Sequence, residues 1–151
     1  MSDLRIKHLK PKRDGFYKQG VLDPKRMKKY YSECKTEPII YRSGLELQFI
    51  NYCEMSPKIT KWASEPIAIK YFSRLNNKEV NYYPDYIIEN KEGKKVIVEV
   101  KPSNQLCKPD ATDSRWAKEN WIRNNDKWFA AKKYAEEHGM KFIIVTEKFF
   151  E

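Results

Sequence analysis

Apolar and polar positions alternate at two different periods along this chain, and the change of period divides it into elements. Leu45, Phe49, Ile50 and Cys53 recur at helical spacing behind Ser43, so a helix is expected from Ser43 to about Glu54, with Pro57 limiting its extension. Three strand-like segments follow, at about 66–72, 80–88 and 95–101. The turn formers Leu75-Asn76-Asn77-Lys78 and Asn90-Lys91-Glu92-Gly93 lie between them, which predicts an antiparallel meander. Residues 102–124 lack a regular pattern and read as loop with some helix. From about Asn125 to His138 a helical stripe returns through Trp128, Ala131 and Ala135, with Gly139 placed to end it. Phe142-Ile143-Ile144-Val145 then forms a short buried strand, joined to the preceding strand through a long crossover as a βαβ unit.

The start of the chain behaves differently. The first twenty residues have no sustained period and carry Lys7, Lys10, Lys12, Arg13 and Lys18, so they read as a basic arm. Asp23-Pro24 resembles an N-cap followed by proline at the first helical position, opening a short basic helix to about Tyr31 that holds Lys25, Arg26, Lys28 and Lys29. Two parts are expected: residues 1–35 as basic arm and helix, and residues 36–151 as one folded core.

Length and charge narrow the function. The 151 residues suit a single domain, and no stretch of about 18 apolar residues is present to span a membrane. The opening residues lack the apolar stretch of a signal peptide, so a soluble, unexported protein is expected. Cys34, Cys53 and Cys107 are odd in number and widely spaced, which fits neither a disulfide framework nor a zinc site and implies reduced thiols. The formal charge of +9 points toward phosphate-rich polymers. Residues 1–35 hold eleven Lys or Arg against four Asp or Glu, so most of that excess lies in the first quarter of the chain. The five residues named in the arm and the four named in the helix are therefore candidates to neutralise DNA phosphates without reading sequence. A solvated, idle tail is the alternative.

The strongest chemical signal lies in Val96-Ile97-Val98-Glu99-Val100-Lys101. Strand alternation puts Ile97, Glu99 and Lys101 on one face and the three valines on the other. An acid-x-Lys pattern by itself means little here, because it also occurs at Asp23/Lys25, Glu33/Lys35, Glu89/Lys91 and Glu92/Lys94. Only Glu99/Lys101 lies inside a clear strand, and only it follows a Pro-Asp pair, Pro84-Asp85, on a neighbouring strand. If those strands pair, Asp85 and Glu99 approach each other, and two carboxylates so placed make an oxygen site for Mg²⁺ or Mn²⁺. Ordinary alternatives exist for each residue: a turn aspartate at 85 and a plain Glu–Lys pair at a strand end. Trp116, Trp121 and Trp128 are interleaved with Arg115, Lys118, Arg123 and Lys127; Trp128 belongs to the apolar stripe, while the other two are open between core packing and base stacking.

Pro84-Asp85 followed by Glu99-Val100-Lys101 resembles the motif of the PD-(D/E)xK nuclease superfamily. The resemblance covers roughly residues 40–146 and implies an α/β, restriction-endonuclease-like core: a mixed sheet in α-β-β-β-α-β order, behind the basic arm and helix. It implies a Mg²⁺-dependent deoxyribonuclease, with Mn²⁺ as a substitute, acting on double-stranded DNA. It further implies Asp85 and Glu99 as metal ligands, the carbonyl of Val100 as another, and Lys101 as the residue that orients the attacking water. Glu46, in Ser43-Gly44-Leu45-Glu46, occupies the place of the family's helix acid, although Ser-x-x-Glu is also a capping box. Lys132 occupies a position where relatives place a polar residue at the rim. The runs Trp62-Ala63-Ser64-Glu65-Pro66-Ile67 and Val98-Glu99-Val100-Lys101-Pro102 are similar to the nuclease domain of transposon end-cleaving subunits. The chain length, basic start and Gly15-Phe16-Tyr17-Lys18-Gln19-Gly20 are similar to the head-completion nucleases of T-even phages. The latter likeness implies work in the cytoplasm of an infected bacterium, or in association with the virion, after packaging and before tail joining, with phage head or portal proteins as partners. A non-catalytic DNA-binding head protein and a transposase- or resolvase-type endonuclease are the competing readings.

Overall fold

The computed structural model describes residues 19–151. Lys7, Lys10, Lys12, Arg13 and Lys18 lie outside the described residues. Strand β1 (Gly20–Leu22) pairs antiparallel with β2 (Ile39–Tyr41) as a two-stranded ribbon. The absence of a side chain at Gly20 matters there, because a Cβ would run into the ring and hydroxyl of Tyr41.

The expected basic helix at 24–31 does not form. Asp23 does cap Lys25 N–H at 2.9 Å and Pro24 does stand first, but only a three-residue 3-10 turn, Pro24–Arg26, results. Tertiary partners explain the difference. The N–H groups of Lys28 and Lys29 donate to the Glu54 carboxylate at 2.8 and 3.1 Å, and those of Tyr31 and Trp62 donate to the carbonyls of Trp62 and Lys29. Backbone donors satisfied in this way have no need of helical partners. Tyr30 packs edge-on against Trp62 with ring centroids 4.7 Å apart, so this segment joins the main core.

Helix α1 (Gly44–Met55) starts where expected, with the Ser43 hydroxyl accepting from Glu46 N–H at 3.1 Å, and buries Phe49, Ile50 and Cys53. Six strands follow: β3 (Lys61–Ser64), β4 (Ile69–Ser73), β5 (Lys78–Tyr82), β6 (Tyr86–Glu89), β7 (Lys95–Val100) and, after the second helix, β8 (Lys141–Val145). Strands β3, β6, β7 and β8 form a mixed sheet in the order β3-β6-β7-β8, antiparallel except for the β7–β8 pair. The meander expectation is corrected on two counts. The segment 80–88 is two strands in two sheets, split at Tyr83-Pro84-Asp85. The segment 66–72 overlaps β4, which pairs with β5 in a separate hairpin, whereas the strand beside β6 is the short Lys-Trp-Ala-Ser of β3.

Helix α2 runs from Arg115 to Glu137, starting ten residues before the expected Asn125, with the Ser114 hydroxyl capping Ala117 N–H at 3.1 Å. Its 23 residues span about 35 Å. Gly139 at φ 68° turns the chain back into β8. The two helices cover opposite faces of the sheet. Val98, Val100, Val145, Tyr86 and Trp62 meet Phe49, Ile50 and Cys53 of α1 in one core. Ile97 and Ile87 meet Ala131 and Ala135 of α2 in the other, which the β4–β5 hairpin closes with Ile69, Tyr71 and Tyr82. Arg74 in the hairpin turn fastens it to α2 through Asp126 at 2.7 Å. No helix among the described residues is long and apolar enough to cross a membrane.

Candidate active site

The pairing of β6 with β7 ends at Tyr86↔Val98, so the next residues in register are Asp85 and Glu99. Pro84 has no N–H to continue the ladder. Instead, the Asp85 carboxylate folds back and its Oδ2 accepts the N–H of Val100 at 2.8 Å. The Asp85 carbonyl accepts from Glu65 N–H, and Glu65 itself sits at φ 47° at the end of β3. Two strand ends thus hold the aspartate in place.

Glu99 is only 7 % exposed, on the α2 side of β7. Its Oε1 accepts the Tyr82 hydroxyl at 2.6 Å. Burial pushes the carboxyls of both residues above their ordinary range. The charges of Glu99 and then Glu46 push Asp85 further up, with Val100 N–H and the Lys101 ammonium opposing. For Glu99 the opposition comes from Tyr82, Lys101, Lys127 and the Asp85 backbone N–H. Tyr82 is buried against Glu99, and desolvation followed by that negative charge holds its hydroxyl protonated as a donor.

Two lysines face the carboxylates. Lys101 follows β7 directly, and its N–H is tied to the Val145 carbonyl at 2.9 Å. Lys127 reaches in from α2, half-buried, with Nζ 5.6 Å from the centroid of the Tyr82 ring. Burial lowers its pKa, the positive charges of Lys101 and Arg123 lower it further, and Glu99 acts in the opposite sense. Neither ammonium forms an ion pair within 4 Å among the described residues.

Asp85, Glu99 and Lys101 are brought together as the sequence pattern anticipates. Glu46 is adjacent but occupied by capping: Oε1 accepts Arg42 N–H and Oε2 accepts the Ser43 hydroxyl, each at 3.3 Å. Its charge nevertheless raises the pKa of Asp85 and of the buried Tyr86 hydroxyl, which has no hydrogen-bond partner among the described residues. Val100 contributes its N–H as described. Lys25, Arg26 and Lys28 are exposed, while the ammonium of Lys29 is spent on the Ser56 carbonyl at 2.7 Å. Lys132 is exposed on α2, and it is Lys127 that points inward. The roles of Tyr82 and Lys127 were not legible in the pattern. The available hint was a lysine three residues after Asn124 and four before Ala131, on the helix face that packs inward.

Among the described residues no three carboxyl, imidazole or thiol groups stand together as a ready-made metal cluster. The donor chemistry still fits a hard divalent cation. Two desolvated carboxylates are held side by side, and no hydrogen bond reaches Asp85 Oδ1 among the described residues. Such a pair is relieved by either a proton or a cation.

Residues 56–147 match the family model described as TnsA-like endonuclease N terminal, a span containing Asp85, Glu99, Lys101, Tyr82 and Lys127. The chain is also 34 % identical over 137 residues to the head completion nuclease of Enterobacteria phage T4, an alignment covering 85 % of this chain and 90 % of that protein. With its Pro-Asp and Glu-x-Lys residues meeting at one end of a mixed sheet, the chain belongs to the TnsA-like endonuclease family, of the PD-(D/E)xK type.

Proposed function

We propose that this protein is a divalent-metal-dependent deoxyribonuclease that hydrolyses phosphodiester bonds at the Asp85–Glu99–Lys101 site. The observation that carries the reading is the buried carboxylate pair beside two lysines, in a chain of nuclease family. Asp85 and Glu99, with the Val100 carbonyl, would hold Mg²⁺, or Mn²⁺ in its place, and Glu46 would contribute through water. A bound divalent ion supplies a water of lowered pKa and a Lewis acid for charge on the phosphoryl and leaving oxygens.

The protein's own groups do the rest. Tyr82 fixes the Glu99 carboxylate through a short hydrogen bond, and Val100 N–H fixes Asp85, so neither has to reorganise when DNA arrives. Lys101 orients the attacking water and offsets negative charge that develops at phosphorus. Lys127 places a second positive charge across the site for a phosphate oxygen. Lys25, Arg26 and Lys28, with the basic arm before them, supply salt-dependent contacts to the backbone of double-stranded DNA. The name of the T4 relative supports a role in completing phage heads. Within that proposed role, the protein would act after packaging and before tail joining, in the cytoplasm of the infected host and in contact with head or portal proteins.

Incubation of linear and circular plasmid with wild type and Lys101→Ala tests the reading, in Mg²⁺, Mn²⁺ or EDTA. Cutting by wild type in either metal, none in EDTA, and a loss of at least about a hundredfold in the variant are expected. Melting of the wild type should rise with Mg²⁺, by about 2.7 kcal/mol of added stability at a hundred times its dissociation constant. Equal cutting by both proteins, or cutting undiminished by EDTA, overturns the assignment.

A further inference from the structure

Helix α2 is longer than the sheet beneath it requires. Its inward stripe buries Trp128 and packs Ala131 and Ala135 on the sheet, but one turn before Trp128 the same stripe carries Asn124, and before that Asn120. Asn124 is 3 % exposed and its Nδ2 has no partner among the described residues. A buried amide donor left unpaired on a core-facing stripe weakens the fold, so packing does not account for it. The region around it is hollow. A cavity of about 260 Å³ lies between this end of α2 and the loop after Lys101, and Asn124, Asn120, Gln105, Trp116, Trp121 and Lys108 contribute to its wall.

We infer that this cavity receives one nucleobase, from an unpaired nucleotide adjacent to the phosphate being cut; the inference rests on the nuclease reading above. Its size falls just below the range of about 300–1,000 Å³ common for ligand pockets, which suits a single flat ring system. Its chemistry is that of base recognition: indole faces for stacking, and amides that both donate and accept toward a base edge. Trp116 is 68 % exposed, so its ring is open to solvent at the cavity wall and free to stack on an incoming base. Lys108 supplies positive charge at the wall for the attached backbone.

The placement agrees. Asn124 precedes Lys127 by three residues, about 4.5 Å along the helix axis. Successive nucleotides on one strand rise by about 3.4 Å. A strand whose phosphate lies against Lys127 and Lys101 would therefore bring the neighbouring base to Asn124. A fully stacked duplex cannot insert a base without unpairing it, so ends, overhangs or branches should be favoured over continuous duplex.

Binding is measured by fluorescence anisotropy with the full chain in EDTA. Three DNAs are compared: a blunt duplex, the same duplex with a short single-stranded overhang, and that overhang with abasic sites in place of its bases. Wild type should bind the intact overhang on the order of tenfold more tightly than the abasic one. Trp121→Ala should erase that ratio and Trp121→Phe should keep most of it. Should Trp121→Ala fail to fold, Trp116→Ala, at an exposed position, carries the same test, with a smaller ratio expected. Equal binding of intact and abasic overhangs by wild type, or a ratio unchanged in both alanine variants, overturns the inference while leaving metal-dependent cutting untouched. A ratio that behaves as expected in a protein that never cuts DNA leaves the pocket standing and removes the nuclease reading instead.

Discussion

Strand β7 presents two faces to two different environments. Val98 and Val100 point into the core beneath α1, among Phe49, Ile50, Trp62 and Tyr86. Ile97 and Glu99 point toward α2 and the β4–β5 hairpin, and there the apolar surface stops after one residue. The valine side gains stability from every methyl it buries. The glutamate side takes a carboxylate out of water beside another carboxylate, an arrangement that lowers stability unless something neutralises it. A six-residue strand thus carries both the interactions that hold the fold and the group that strains it, separated only by the pleat.

The sharpest way to break this comparison is to substitute neighbours on opposite faces. Glu99→Gln should reduce DNA cutting by about a hundredfold or more while circular dichroism and melting show an intact fold. Val98→Ala should do the reverse, losing about 2 kcal/mol of stability and lowering the melting temperature by about 5 °C, with cutting at low temperature retained. Comparable losses of activity from both would mean that the two faces are not functionally distinct.

The strain on the carboxylate face can be read directly. The folded-state pKa values of Asp85 and Glu99 are raised, so over the window between the ordinary carboxylate range and those raised values the folded state holds more protons than the unfolded one. Their contribution to stability therefore falls as pH rises through that window. Asp85→Asn should melt above the metal-free wild type, and the gap should be wider at about pH 8 than at about pH 5. A gap that closes as pH rises would contradict the burial of the pair. Added Mg²⁺ should stabilise the wild type and not the variant.

The smallest effects are expected at the start of α1, where Glu46 belongs both to a cap and to the charge cluster. Ser43→Ala should cost about 1 kcal/mol of stability and leave cutting alone. Glu46→Gln keeps an acceptor for the cap but removes the charge, so melting should hardly change while cutting falls on the order of tenfold. If Glu46→Gln cuts as fast as wild type, capping is the whole role of that residue.

The same two-faced strand also marks how much of the site is legible in the sequence. Period-two alternation through Val96–Lys101 placed Glu99 and Lys101 together, and Pro84 marked where the neighbouring ladder must stop; both are local signals. What escaped reading depends on residues far apart. Strand β3 is four residues long and gains its strand character from pairing with β6. The first half of α2 is polar because it faces a loop and a cavity instead of a sheet, so no apolar stripe announces it. The segment at 24–31 has good helix-start residues, and Glu54 overrides them from 25 residues away. Tyr82 meets Glu99 only because a proline turns the hairpin over the sheet.

That turn at Tyr83-Pro84-Asp85 also uncouples two parts of the chain. The register of β6 is fixed by β3 and β7 alone, and the hairpin that precedes it is anchored at its base by Tyr82 and near its tip by Arg74. Asn76 and Asn77, the latter at φ 53°, lie in the exposed bend between β4 and β5. A peptide tag or fluorophore grafted between them would extend into solvent without shifting the carboxylates by a residue, giving a handle for watching this protein on DNA.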